Sequence, residues 1–206
     1  MRAVLSLLLS VAVLVCARAQ SPVDLVTPSG PPPGTGQEIT IDDLRGIIIN
    51  ITVMYSGRIR WSVDNIVRTH RLHQKIRAQI GPGGSIRWTV RLDSWADGKP
   101  FVYSPDVRSG IIGRSDTGPT STGARAAVWT FDRNTLTLLR VFERGGRILR
   151  IAFDRIGSGL NCTATGSFLQ ELGAGNPKFR DPSGKGGYHE LIGMKQTSST
   201  CRVSKN

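Results

Sequence analysis

The stretch from Arg125 to Asp154 constrains the fold most, because its pattern predicts three consecutive antiparallel strands joined by two tight turns. The first turn closes with two central residues, Arg133 and Asn134. Residues that oppose each other across such a hairpin share one face of the sheet. This turn predicts the pairs Phe131 with Leu136, Trp129 with Leu138, and Ala127 with Arg140.

The second turn is predicted at Gly145 and Gly146, since paired glycines supply the positive φ of two-residue hairpin turns. It predicts the pairs Phe142 with Leu149, Arg140 with Ile151, and Leu138 with Phe153. Taken separately, the two turns assign the same side chains to one apolar face: Trp129, Phe131, Leu136, Leu138, Phe142, Leu149, Ile151 and Phe153. A one-residue slip would scramble this sorting, so the alternation specifies which side of the sheet each residue faces.

A second hairpin is predicted between residues 67 and 92, with residues 81–85 as its loop. Its apolar face would carry Gln74, Ile76, Ala78, Ile80, Ile86, Trp88, Val90 and Leu92. Its opposite face would carry Arg71, His73, Lys75, Arg77, Arg87 and Arg91. One apolar face and one cationic face are typical of an antiparallel sheet that is solvated on one side.

Runs of this kind give about eight to ten strands and no credible helix, which predicts an all-β protein. We expect an antiparallel up-and-down β-barrel of lipocalin-like architecture, with a β-sandwich as the alternative. One domain would span residues 39–206. Within it, residues 95–100 are predicted to form a turn and residues 104–123 a long loop.

The N-terminal residues predict export. Residues 1–19 combine a basic start, an apolar run and small residues before a cleavage site near Ala19, as a signal peptide does. Residues 20–38 are rich in proline, glycine and serine, which predicts a disordered spacer. The expected location is therefore the periplasm or the extracellular space.

The two cysteines beyond the signal peptide, Cys162 and Cys201, predict one disulfide in an oxidising compartment. The histidines His70, His73 and His189 lack the spacing of metal ligands, so neither a metal nor another cofactor is expected. No nucleophile with a general base and an orienting group is visible, and the protein is expected not to be an enzyme.

Two short segments carry a resemblance. The opening Asp42-Asp43-Leu44-Arg45-Gly46 and the ending Ser198-Ser199-Thr200-Cys201-Arg202-Val203 resemble small exported bacterial proteins of the rhizobial type, whose function is unknown. The three-strand stretch is similar to lipocalin-type barrels in architecture only, because Gly46 is followed by Ile47 and Ile48 rather than by the lipocalin Gly-x-Trp signature. The first resemblance implies export, and neither implies an activity.

Charge points to the class of partner. The chain has 27 Lys and Arg against 15 Asp and Glu, a net charge of +12, and two of the basic residues lie in the signal peptide. Such an excess favours anionic partners, here acidic polysaccharide or membrane headgroups. The face of Arg71, Lys75, Arg77, Arg87 and Arg91 is the candidate polyanion-binding surface, and a merely solvated face is the alternative. No nucleic-acid-binding module is present, so specific nucleic-acid binding is not expected.

Arg140 interrupts the apolar face of the first stretch. It would either reach water or a carboxylate, or act with Trp129 and Phe142 as an interior anchor for a small apolar acid. The leading functional hypothesis is an exported, non-enzymatic protein that binds an apolar or acidic small ligand or an anionic envelope component. The alternatives are a structural protein of the cell envelope and an unrecognised enzyme.

Overall fold

The computed structural model describes residues 38–102, 105–117, 124–142, 145–169, 178–180 and 187–205. The predicted signal peptide, and the predicted spacer up to residue 37, lie outside these residues. All of the described elements belong to one compact unit, Thr35–Asn206. No helix in the described part of the chain has the length and apolar character needed to cross a membrane.

The described structure is built from antiparallel strands and two single-turn 3₁₀ helices, Asp42–Leu44 and Pro82–Gly84. This confirms the predicted all-β class. The strands are β1 (Ile47–Trp61), β2 (Val67–Ile80), β3 (Ser85–Ala96), β4 (Lys99–Val102), β5 (Asp106–Ile111), β6 (Ser115–Thr117), β7 (Ala126–Asp132), β8 (Thr135–Phe142), β9 (Gly145–Ile156), β10 (Gly159–Leu169), β11 (Lys178–Arg180) and β12 (Tyr188–Lys205).

The strands form two sheets, and the expected closed barrel is wrong. The larger sheet has the order β11-β12-β1-β2-β3-β4, with β5 also paired to β3, and the smaller sheet has the order β10-β9-β8-β7-β6. Their apolar faces share one core, an arrangement that fits the alternative β-sandwich. No backbone ladder joins β10 to β12 or β5 to β6 in the described residues, so the circuit of strands stays open at both edges.

Side chains replace the missing ladder between β10 and β12. The Gly166 N–H donates to the Gln196 Oε1 at 2.6 Å, and the Ser199 hydroxyl donates to the Ala164 carbonyl at 2.7 Å. These backbone groups are therefore satisfied by side chains of β12 rather than by its main chain. A side chain at Gly166 would overlap the hydroxyl of Tyr55 in β1, so glycine leaves room for that ring.

The predicted disulfide is confirmed and crosses the same edge. Cys162 of β10 is bonded to Cys201 of β12, with their Cα atoms 5.6 Å apart. The bond closes a loop with a sequence separation of 39 residues, which stabilises the fold by about 4 kcal/mol in the loop-entropy account. The disulfide also fits an oxidising compartment.

The β7–β8 hairpin has the predicted register, in which Phe131, Trp129 and Ala127 oppose Leu136, Leu138 and Arg140. Its turn residues Arg133 and Asn134 have φ of 43° and 63°, the left-handed values that a two-residue hairpin turn needs.

The predicted β8–β9 register is wrong by four residues. Phe142 opposes Gly145 and Leu138 opposes Leu149, so the connection consists of residues 143–144, which lie outside the described part of the chain. The glycines belong to the strand, where a Cβ on Gly146 would lie 3.0 Å from the Arg140 carbonyl. An even shift leaves each side chain on its face, and Trp129 and Phe142 are both buried as predicted.

The β2–β3 hairpin also has the predicted register, with Ile80 opposite Ile86 and Ile76 opposite Val90. Its apolar face meets the smaller sheet across the core, where Trp88 packs edge-on against Trp129 with ring centroids 5.9 Å apart. Burying this face leaves the cationic side of the hairpin on the outside of the larger sheet.

Candidate functional site

The outer side of β12, β1, β2 and β3 forms what we call the outer cationic face. Five of its cations are those that the sequence predicted, and all five are exposed: Arg71, Lys75, Arg77, Arg87 and Arg91. Another exposed cation of this face, Arg202, was not predicted because it lies in β12, far from the hairpin in sequence. Pairing of β1 with both β2 and β12 brings it to this face.

Cross-strand rows organise the face. One row runs Arg202, Asn50, Arg77, Thr89, and the next runs Thr200, Thr52, Lys75, Arg91. Same-face residues of a strand are two positions apart, about 7 Å, so cations recur at that interval along β2. Hydroxyl and amide groups alternate with the cations and provide neutral hydrogen-bonding partners between the charges.

The cations of this face differ in whether they pair with the carboxylate of Asp93. Asp93 lies 2.9 Å from Lys75 Nζ and 3.0 Å from Arg91 Nε. Burial acts to raise the pKa of this carboxyl, but the hydrogen bonds from Lys75 and Arg91 outweigh it and hold the pKa below its usual value. Asp93 is therefore ionised at neutral pH and offsets part of the charge in the middle of the face.

Four arginines of this face differ from Lys75 and Arg91. Among the described residues, no carboxylate lies within ion-pair distance of Arg71, Arg77, Arg87 or Arg202. Their guanidinium groups are solvated rather than paired, and like charges on neighbouring strands raise the local positive potential. Guanidinium groups in this state favour binding of carboxylate, sulfate or phosphate.

Three clefts lie on the outer cationic face. The first, of about 500 Å³, lies between the rows of Arg77 and Lys75 and reaches Arg202. The second, of about 250 Å³, is lined by Arg77, Gln79, Arg87 and Thr89. The first two share Arg77 and Thr89, and the third, of about 550 Å³, lies farther along β2 and β3. The face is thus grooved rather than flat.

The third cleft contains an aromatic residue that the sequence prediction missed. Trp95 was assigned to a turn, but it lies in β3, and the turn is formed by Asp97 and Gly98, with φ of 47° and 79°. Its ring lies beside that of His73, with centroids 4.6 Å apart. Trp95 continues the outward alternation of Arg87, Thr89, Arg91 and Asp93, which was the signal that could have found it.

The predicted interior residues lie inside the sandwich. Arg140 is 1% exposed, and its Nη2 donates to Asp106 Oδ2 of β5 at 3.3 Å. Its guanidinium also lies 5.4 Å from the centre of the Phe142 ring. Burial lowers the pKa of Arg140, and the Arg147 charge lowers it further against the opposing effect of Asp106. Trp129, in contrast, packs in the apolar core against Trp88.

A second inward arginine was missed. Arg147 directly opposes Arg140 because of the shifted register, and it lies over the rings of Phe142 and Phe168. Arg147 is separated from Leu149, Ile151 and Phe153 by even numbers of residues, so alternation along the strand could have placed it on their inward face.

Burial first, and then the charges of Arg147 and His189, lower the pKa of the buried His70 to about 4.

Comparison with protein families, with curated proteins and with solved structures finds no match to this chain. Among the described residues, no group of three or more His, Cys, Asp or Glu is arranged to hold a metal ion.

Proposed function

We propose that this protein is an exported, non-enzymatic binding protein whose outer cationic face holds an anionic polymer. The observation that carries the proposal is a set of exposed arginines, Arg71, Arg77, Arg87 and Arg202, that have no carboxylate partner among the described residues and lie beside clefts of about 250–550 Å³. Binding would release counterions from the polymer, so the affinity would fall as salt rises.

The interior arginine supports the small-ligand hypothesis less well. An anchor for an acidic ligand needs an available guanidinium, and that of Arg140 already donates to Asp106. The outer arginines have no such internal competitor within the described residues. The same comparison favours a binding protein over a purely structural role, because unpaired like charges on one sheet face do not stabilise the fold.

Charge reversal tests the proposal. The double variant Arg77→Glu/Arg87→Glu alters two exposed side chains at the point where two clefts meet. We expect wild-type protein to bind immobilised heparin and to elute with salt, and we expect the variant to lose at least tenfold in affinity at about 0.1 M salt. Titration with soluble heparin checks the same change in solution.

The matched control is Arg114→Glu/Arg150→Glu, which has the same net charge but alters a turn and the outer side of the smaller sheet. It should keep the wild-type affinity within about threefold, because its arginines lie off the outer cationic face. Equal weakening by the two double variants would show that only net charge matters and would reject the proposed surface. Absence of heparin binding by the wild type would reject the function.

A further inference from the structure

The third cleft differs from the other two because it combines a cation with an aromatic pair. It is lined by Thr69, Arg71, His73, Trp95 and Gly98. Arg71 directly opposes Trp95 across the β2–β3 ladder, so their side chains leave the sheet side by side on the same face. Arg71 is exposed and Trp95 is half-buried, so the indole is held by its surroundings but remains accessible.

Hydrogen bonds hold one end of this cleft in place. The Asp97 Oδ1 accepts from both the backbone N–H and the hydroxyl of Thr69, each at 2.9 Å. The Arg68 Nε lies 3.9 Å from the other oxygen of Asp97. The Asp97 carboxylate is therefore bound to Thr69 and Arg68, and Arg71 remains without an ion pair among the described residues.

Such a pair of groups suits one particular chemical unit, a sugar ring that carries an anion. The apolar C–H face of a pyranose packs on an indole, whose π face is electron-rich. An adjacent guanidinium bonds a carboxylate or sulfate with two parallel hydrogen bonds. A flat indole and a fork of donors on neighbouring strands offer both contacts to a single ring.

The rest of the outer cationic face fits a polymer of such units. Arg87 and Trp95 lie eight residues apart on β3, a distance of about 27 Å along the strand. Between them on β3 lie Thr89, Arg91 and Asp93, and the Asp93 carboxylate is already paired with Lys75 and Arg91. Thr89, together with Asn50 and Thr52 of β1, lines the first cleft and can bond sugar hydroxyls. Single-stranded nucleic acid is bound instead by several aromatic platforms, one for each stacked base. The described part of this face has one aromatic pair, at its end.

We propose that the third cleft is a subsite for an acidic sugar, with the ring stacked on Trp95 and its carboxylate or sulfate bonded to Arg71, and that the ligand is an acidic polysaccharide lying along β2 and β3. This inference rests on the proposed function and specifies its ligand. It makes Trp95 a determinant of which polyanion is bound.

Four probes with anionic groups test the inference on the full chain by calorimetry. They are a hexamer of galacturonic acid, a heparin hexasaccharide, inorganic polyphosphate and an oligothymidylate. Trp95→Leu should weaken binding of at least one of the two sugar probes about tenfold and should leave polyphosphate, which has no ring, within about twofold. Trp95→Phe retains an aromatic plane and should retain most of the sugar affinity. The two sugar probes distinguish a carboxylate from a sulfate.

Arg71→Gln should weaken the same sugar probe, and the unfolding midpoints of all variants are measured so that a misfolded protein is recognised. Unchanged binding of both sugars by Trp95→Leu would overturn the subsite, as would an equal loss of polyphosphate. A selective loss of the oligothymidylate would assign the cleft to nucleic acid instead. If the wild type binds none of the four probes, the proposed function itself fails, which is a different result.

Discussion

Arg140 inside the sandwich and Arg77 on the outer cationic face both lie in strands at the centre of a sheet, but their partners differ. Arg140 is almost fully buried and donates to the Asp106 carboxylate. Arg77 is exposed, and no described carboxylate lies within ion-pair distance of it. A buried charge has to be paired to be tolerated, whereas water solvates an exposed one without help. The inner arginine therefore serves the fold, and the outer one remains available to a ligand.

The largest expected effect concerns the inner pair. Asp106→Ala removes the carboxylate that accepts from Arg140 and leaves a buried guanidinium without it. We expect the free energy of unfolding to fall by about 3–5 kcal/mol, as when one partner of a buried ion pair is deleted. Guanidinium chloride denaturation measures this change. The double variant Arg140→Met/Asp106→Leu should recover most of the loss, because it removes the buried pair and because Arg108, the other cation beside Asp106, keeps its ion pair with Asp116.

The matched control for this prediction is Arg77→Ala on the outer face, which should change the unfolding free energy by no more than about 0.5 kcal/mol. If Arg77→Ala destabilises as much as Asp106→Ala, the inner and outer arginines do not differ in the proposed way. A loss below about 1 kcal/mol for Asp106→Ala would also remove the distinction.

A smaller effect concerns pH and the buried His70. The pKa of His70 is about 4 in the folded protein, below the usual value of 6.5. As the pH falls from 6.5 to 4, His70 is therefore protonated in the unfolded chain but remains neutral in the folded one. The contribution of His70 to the free energy of unfolding is fully present above about pH 6.5, and about 3 kcal/mol of it is lost as the pH falls toward 4.

His70→Leu tests this by removing the titrating group. The decrease in unfolding free energy between pH 7.5 and pH 4, measured by denaturation at both values, should be smaller in the variant than in the wild type by about 3 kcal/mol. An identical decrease in both proteins would show that the interior near Arg147 does not disfavour a further positive charge.

The alternation of apolar and polar residues predicted which side of a sheet each residue faces. It did so for the inner Arg140 and for the outer Arg77. The error in the β8–β9 register left these sides unchanged because the shift was an even number of residues. The register error did hide the inward position of Arg147, because the turn was predicted at the glycines next to it. A Cβ on Gly146 would lie 3.0 Å from the Arg140 carbonyl, a restriction that only the folded chain shows.

Partners distant in sequence could not be predicted. Asp106 is 34 residues from Arg140 and lies in a segment predicted as a loop, where β5 pairs with β3. Arg202 reaches the outer cationic face because β12 pairs with β1, and the disulfide alone predicted that β10 and β12 meet. Whether the sheets close into a barrel depends on which groups satisfy the edge strands, and here side chains of β12 do so.

The most direct test of the outer cationic face is to map which arginines a bound polyanion shields. The full chain is treated with phenylglyoxal, which modifies accessible guanidinium groups, with and without saturating heparin, and the modified residues are identified by mass spectrometry. We predict that heparin protects Arg71, Arg77 and Arg87 several-fold and leaves Arg45 and Arg114 unprotected. Equal protection of all five, or protection of Arg45 and Arg114 alone, would contradict the assignment of this face as the binding surface.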